Sequence, residues 1–338
     1  MITGQLAFIA GCLNSVNDIE PQGMMYFTFF DTVSNIYSYA GDSKKVFTKN
    51  CEEVSTILEE YHKLFDIYNE YSGINNLCTL NKNAGKEALV VDQKLIEFLL
   101  YTKEMYTLTN GKANVMLGSV LKLWHDTREQ ATYNPSAATI PSMDILQEAL
   151  LHTNIDLLEI NQTNNTVRIA DPNASIDVGA IGKGYATEKA AQYLEDKGCT
   201  SYVLNIGGNI RIIGTKVDGD GWVTGIKNPQ DTETYAFYTK LSDTSCVTSG
   251  DYERYYTVGS KRYHHIIDAS TLMPADYFSS VTVITKNSGL ADTLSTALFC
   301  MSYEEGLALV ESLGNVEVLW IYENGEQRKT DGMLAIER

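Results

Sequence analysis

Apolar and polar positions alternate with different periods in the two halves of the chain. Met25 to Tyr39, MYFTFFDTVSNIYSY, is dense in aromatic and β-branched residues and reads as strand, turn, strand. From Ser43 onward Val46, Val54, Ile57, Leu58, Tyr61, Leu64 and Phe65 recur mostly at three and four positions, the period that gives a helix one apolar face. Glu70 to Gly85 has the Gly and Asn density of irregular backbone, and Val91 to Thr107 reads as a second amphipathic helix. Thr109 to Trp124 turns at Asn110-Gly111 and runs toward another helix, while Asp126 to Pro141 is polar and reads as an excursion.

From Ile155 the rhythm changes to hairpin-like pieces, beginning with two alternating runs around an Asn-rich turn in IDLLEINQTNNTVRIA. A helix from Tyr185 to Lys197 and a strand SYVLNIGGNIRIIG follow. WVTGIKNP, AFYTKLS, SCVTSG, YYTVGSKRYHHIID and SSVTVIT are strand-like, a helix runs from Leu290 to Met301, and EEGLALVESLG and VEVLWIYENG close the chain as helix and strand. No repeat or linker divides it. The expected fold class is α+β: a single mixed domain, residues 24–338, with antiparallel sheet and flanking helices.

Composition narrows the function. A length of 338 residues allows a sizeable core, and no apolar run reaches the ~18–20 residues of a membrane span. The net charge of −17 argues against nucleic acid or an anionic lipid face, which require a basic footprint. The first twelve residues, MITGQLAFIAGC, are uncharged and mostly apolar, and Ile9-Ala10-Gly11-Cys12 has the form of a bacterial lipoprotein cleavage site. The expectation is a truncated signal segment (1–12), a flexible tether (13–23) and attachment outside the cytoplasmic membrane through a lipidated Cys12. The plainer reading is a first buried strand with a core cysteine. None of the six cysteines forms a CxxC pair, so neither a zinc knuckle nor a redox motif is indicated.

Three stretches carry candidate chemistry. SIDVGAIGKGYATEKA, Ser175 to Ala190, is not a nucleoside-triphosphatase loop, because Lys183 is followed by Gly184 and Asp177 stands where the first glycine belongs. Its glycines at 179, 182 and 184 miss the dinucleotide spacing too, yet they let backbone approach a ligand, and a helix starting near Tyr185 would turn its N–H groups toward an anion. In LADTLSTALF, Asp292 and Thr296 stand four apart on one helix face, a hard-oxygen pair suited to Mg²⁺; a solvated Asp beside a helix-facing Thr is the bland alternative. TSGDYERYYTVGSKRYHHIID packs Ser249, Asp251, Arg254, Arg262, His264, His265 and Asp268 into hairpin-like backbone. There a His followed three later by an Asp suits an oriented base, although a lone His is more often structural.

Together these motifs resemble those of the FAD:protein FMN transferases, the ApbE-like flavin transferases. IDVGAIGKGYA, NIGGNI, TSGDYERY, HHIID and ADTLSTALF occur in that family's order, and the resemblance reaches FFDT at Phe29 to Thr32 and TNGKANVMLG. It implies a T-fold-related architecture and Mg²⁺ held by the carbonyl of Ala180 and the side chains of Asp292 and Thr296. It further implies FAD contacts from Phe30, Ala113, Asn114, Asp177, Lys183, Ser249 and Ile267, with Tyr71 as a stacking candidate. Phe30 replaces the family's usual Met, and Lys112-Ala113-Asn114-Val115 replaces its x-F-D-P run. The implied reaction is attack of a Thr or Ser hydroxyl of an acceptor flavoprotein on FAD, leaving phosphoester-linked FMN and releasing AMP. A subunit of a membrane redox complex is one such acceptor. His265, oriented by Asp268, is the candidate base. A Mg²⁺-dependent FAD pyrophosphatase and a non-catalytic flavin-binding lipoprotein are the alternatives.

Overall fold

In the computed structural model of the chain the described residues run from 20 to 333, so Cys12 and the expected signal segment lie outside them. Eight strands form one sheet in chain order: β1 (Gln22–Phe29), β2 (Thr32–Ser38), β3 (Ser201–Ile206), β4 (Asn209–Gly214), β5 (Ser245–Gly250), β6 (Ser280–Thr285), β7 (Glu317–Ile321) and β8 (Gln327–Lys329). Every neighbouring pair is antiparallel. Gln22 and Gly23, expected in the tether, pair in β1. The long strand expected over SYVLNIGGNIRIIG is instead β3 and β4, because Gly207 and Gly208 both take positive φ and reverse the chain.

Helices cover one face of this sheet. α1 (Lys44–Phe65) starts where the Ser43 hydroxyl accepts the Val46 N–H, and it buries Phe47, Val54 and Leu58. α2 (Gly182–Asp196) contributes Ala186, Ala190 and Leu194 to the same core, against Ile36, Tyr202 and Leu204 of the strands. α3 (Ser288–Phe299) buries Leu294, Ala297 and Leu298 with Val247, Val281 and Val283 in an adjoining core. The opposite sheet face meets a long hairpin, Trp222–Asn228 with Asp231–Leu241, whose Trp222, Ile226 and Phe237 pack on Val203, Ile212 and Cys246.

Three expectations shift. The Glu70–Gly85 stretch contains a short helix, Leu77–Lys82, seated on the Asn76 side chain. The supposed excursion is helical as far as Tyr133, because Trp124 and Ala131 bury one side of Gly118–Tyr133 while its polar side faces out. α2 begins at Gly182, a turn before Tyr185, with no side chain capping it.

Candidate functional site

Twelve of the thirteen residues singled out by sequence line one cleft of about 2100 Å³: Phe30, Tyr71, Ala113, Asn114, Asp177, Ala180, Lys183, Ser249, His265, Ile267, Asp292 and Thr296. Asp268 is the exception. The cleft lies where the β1–β2 turn, the glycine turn before α2, the end of β5 and the His264–Ile267 segment converge on α3.

Asp292 is the centre of this arrangement. Its buried Oδ2 accepts the Gly184 N–H at 2.7 Å, so one of the N–H groups expected to await an anion is already bound to a carboxylate. A Cβ on Gly184 would stand 2.3 Å from the Asp292 Cβ and 2.4 Å from the Ser288 carbonyl, which explains why glycine occupies that position. Burial pushes the Asp292 carboxyl upward, opposed by the Lys183 charge, the Gly184 N–H and the Asn209 side chain. Thr296, one helical turn on, lies 3.2 Å from the Ser249 hydroxyl, itself 2.8 Å from the Ser295 hydroxyl. Ser295 donates to the Asp292 carbonyl at 2.9 Å, so the protons run Thr296 to Ser249 to Ser295, leaving Thr296 oxygen lone pairs for a cation.

Asn209 was missed as a site residue, although it closes the NIGGN motif. Its Oδ1 is buried beside Asp292 without a hydrogen-bond partner, an acceptor short of a donor or a cation. Carboxylate, hydroxyl and carbonyl oxygens make a donor set that fits Mg²⁺. Among the described residues no group of three or more His, Cys, Asp or Glu is placed to hold a metal ion.

Across from Asp292, the Asp177 Oδ1 accepts the Gly179 N–H at 2.8 Å, and burial raises its carboxyl against the pull of Gly179, His125, Lys183 and Arg254. The Lys183 ammonium lies 3.3 Å from the Gly179 carbonyl, and its charge bears on Asp177, Asp292 and His265 alike.

His265 stands 3.2 Å, through Nδ1, from the Arg254 carbonyl. A carbonyl only accepts, so Nδ1 carries the proton and Nε2 is left as a base. Burial, then Arg254, His264, Lys183 and Arg128, push its pKa down to about 3, so the ring is neutral. His264 differs: its Nδ1 accepts the Ile266 N–H at 3.2 Å and its Nε2 lies 2.8 Å from the Ala275 carbonyl, so backbone engages both nitrogens. Asp268 does not orient His265. Its carboxylate binds Lys112 Nζ at 3.0 Å and the Ser270 N–H and hydroxyl at 3.0 and 2.7 Å, facing away from the imidazole and into the turn that carries Ala113.

Phe30 and Asp31 form the β1–β2 turn at φ of 52° and 51°, costly for such side chains and held by the Phe30 N–H donating to His62 Nδ1 at 3.2 Å. With Nδ1 accepting, His62 Nε2–H faces the Tyr71 oxygen at 3.5 Å, and Tyr71 donates to Asp66 at 2.8 Å. Tyr71 therefore lines the cleft with its hydroxyl committed, and His62 was not foreseen. The Asn114 side chain spans from the Met116 N–H to the Thr153 carbonyl, so its backbone rather than its amide is available to a ligand.

The profile of the ApbE family matches residues 30–320. A FAD:protein FMN transferase of Treponema pallidum is 31% identical over 299 residues, 84% of this chain and 80% of the relative. One of Vibrio cholerae is 29% identical over 320 residues, 94% of this chain and 91% of the relative. The solved ApbE protein of Thermotoga maritima superposes with a TM-score of 0.80 at 29% identity, covering 92% of this chain and 97% of that one. The flavin transferase ApbE of Vibrio cholerae gives 0.75 at 26%, covering 92% and 96%. A match that takes in the glycine turn, the histidine pair and the Asp292 helix in one span shows that the chain belongs to the ApbE family.

Proposed function

We propose that this chain transfers FMN from FAD to a Thr or Ser hydroxyl of an acceptor protein and releases AMP. The observation that carries this reading is the buried Asp292, fixed by the Gly184 N–H and followed one turn later by Thr296, in a cleft that also holds a neutral His265 with Nε2 open. The names of the relatives support the same activity.

The acceptor hydroxyl attacks the phosphorus on the FMN side of the FAD pyrophosphate. Its proton passes to His265 Nε2, the new P–O bond forms, and the bond to the AMP phosphate breaks as AMP leaves. Lys183 contributes positive charge beside the pyrophosphate, and the Phe30 turn and Tyr71 wall the ring systems. Asp292, Thr296 and the Ala180 carbonyl, with Asn209 beside them, would hold Mg²⁺, which when bound neutralises charge developing on the phosphates. Lipid attachment at Cys12 and work outside the cytoplasmic membrane belong to the same proposal, on the Ile9-Ala10-Gly11-Cys12 pattern.

Incubation of the protein with FAD, Mg²⁺ and an acceptor protein, followed by mass measurement of the acceptor and assay of AMP, tests the proposal. A mass gain of one FMN with equal AMP supports it; AMP and free FMN with an unchanged acceptor would assign the site to pyrophosphate hydrolysis.

A further inference from the structure

Asp292 is held by the first of two matching contacts between α2 and α3. Gly184 and Glu188 stand four apart on α2, and they bind Asp292 and Ser288, four apart on α3. The Gly184 N–H meets the Asp292 carboxylate at 2.7 Å, and Glu188 Oε2 accepts the Ser288 N–H at 2.7 Å. β4 adds a third member to each contact. Asn209 approaches the Asp292 carboxylate, and Arg211, two residues on and on the same strand face, puts its Nε 3.3 Å from Glu188 Oε2. Four residues of helix rise about 6 Å and two of strand about 6.6 Å, so the spacings agree.

The second contact is buried and charged. Arg211 is fully buried and Glu188 is 6% exposed; the guanidinium also donates to Glu195 at 2.6 Å and to the Ile212 carbonyl, and it lies 3.5 Å from Asp243. A buried ion pair adds little stability, because desolvation offsets its attraction, and the fixing of register is its better-attested use. Ser288 is the first residue of α3, so its N–H has no partner within the helix, while the Asn287 side chain takes the Leu290 N–H. Holding α3 at both Ser288 and Asp292 fixes its axial position and its rotation. A slip of one residue would turn Asp292 and Thr296 by about 100°, away from the cleft.

We propose that Glu188, held by Arg211, is a positioning residue for the metal pair: it sets the register of α3, and through it the affinity of Asp292 and Thr296 for Mg²⁺. The inference rests on the Mg²⁺ reading above.

The test reads binding rather than turnover, on the full chain carrying His265→Ala and without acceptor. FAD affinity is followed by flavin fluorescence over a Mg²⁺ series. A metal that neutralises phosphate charge tightens FAD, and the Mg²⁺ concentration at the midpoint of that effect reports the affinity of the metal itself. Glu188→Leu, which cannot accept the Ser288 N–H, should raise the midpoint on the order of tenfold, the scale of losing a partner behind a metal ligand, with FAD affinity at zero Mg²⁺ unchanged. Glu188→Gln can accept that N–H and should return the midpoint close to its original value. Glu195→Gln removes another partner of Arg211, seven residues along α2 from Glu188, and should lower the melting temperature without moving the midpoint. Should Glu188→Leu not fold, Glu188→Ala, beside a surface pocket that water can enter, carries the same expectation. A midpoint unmoved in the Glu188 variants, or moved as far by Glu195→Gln, overturns the proposal and leaves the Mg²⁺ reading standing. FAD binding indifferent to Mg²⁺, with Asp292 intact and in Asp292→Asn alike, overturns the Mg²⁺ reading and this inference with it.

Discussion

Gly184 and Asp292, 108 residues apart, meet at 2.7 Å through one N–H and one carboxylate oxygen, and this contact joins the start of α2 to α3. A Cβ on residue 184 cannot fit at 2.3 Å from the Asp292 Cβ, so Gly184→Ala must separate the helices. Overpacking of this kind costs about 1–3 kcal/mol. Turnover should fall with it, because Asp292 and Thr296 move together on α3. Urea unfolding and AMP release measure both effects; a variant equal to wild type in both would show that the two helices yield freely.

Ionisation of the buried Asp292 costs stability. Burial raises its pKa above the unfolded value, so the folded state is relatively favoured at low pH and loses that advantage as pH rises through the folded pKa. Asp292→Asn keeps an oxygen for the Gly184 N–H and removes the buried ionisable carboxyl. In the absence of Mg²⁺ its melting temperature at pH 7 should exceed that of wild type, while Mg²⁺-dependent turnover is lost. A lower melting temperature, or retained turnover, contradicts this account.

His265→Ala should lower FMN transfer by about 10²–10⁴-fold with a smaller effect on FAD affinity. With a pKa of about 3 in the FAD-free protein, the ring is already a neutral base at any pH near neutrality, so kcat/KM should show no acid limb from it near the ordinary value of ~6.5. Bound pyrophosphate favours the imidazolium, so the limb in kcat should lie at higher pH than that in kcat/KM. The sign for stability follows. Between ~6.5 and about 3 the unfolded chain holds a proton the folded one refuses, so stability falls as pH falls through that window, and His265→Ala removes this dependence. His264→Ala should instead lose stability, since its ring satisfies backbone at Ile266 and Ala275. A kcat/KM limb near 6.5 that disappears in His265→Ala would show the ring to be more basic than its surroundings imply.

Much of the site was legible because its chemistry sits in short runs. The i, i+4 spacing of Asp292 and Thr296 needs only a helix to bring both to one face, and the glycines from 179 to 184 announce a close approach of backbone. What closes on that turn was not legible: that Asp292 lies against Gly184 depends on the packing of α3 on α2, set by the sheet between distant strands. Asp268 was misread for the same reason. Three residues from His265 in sequence, it is claimed by Lys112, 156 residues away. The extent of the Gly118–Tyr133 helix was hidden because its polar stretch is the solvent side of a helix whose buried side has only a few apolar residues, Trp124 and Ala131 among them. Most strands were readable from alternation, but the hairpin fold of β3 and β4 needed both glycines to be recognised as a positive-φ turn.

The Lys112–Asp268 pair gives the test that separates a structural carboxylate from a catalytic one. Asp268 is 1% exposed, and although burial pushes its carboxyl up, the Ser270 N–H, the Ser270 hydroxyl and Lys112 together hold it below the ordinary value. A depressed carboxyl contributes stability that is present above the unfolded pKa of ~3.9 and is lost as pH falls through the folded value. Lys112→Met leaves the buried charge without its cation and should cost about 1.5–3 kcal/mol at pH 7, the range of a hydrogen bond to a charged group. That difference should shrink below about pH 4, as Asp268 takes up a proton in the unfolded chain and then in the folded one. Asp268→Asn should lose stability as well, yet leave the pH–rate profile of transfer where it was, because the Arg254 carbonyl, not Asp268, fixes the His265 tautomer. A profile displaced by Asp268→Asn, with the fold intact by melting, would tie Asp268 to the base after all.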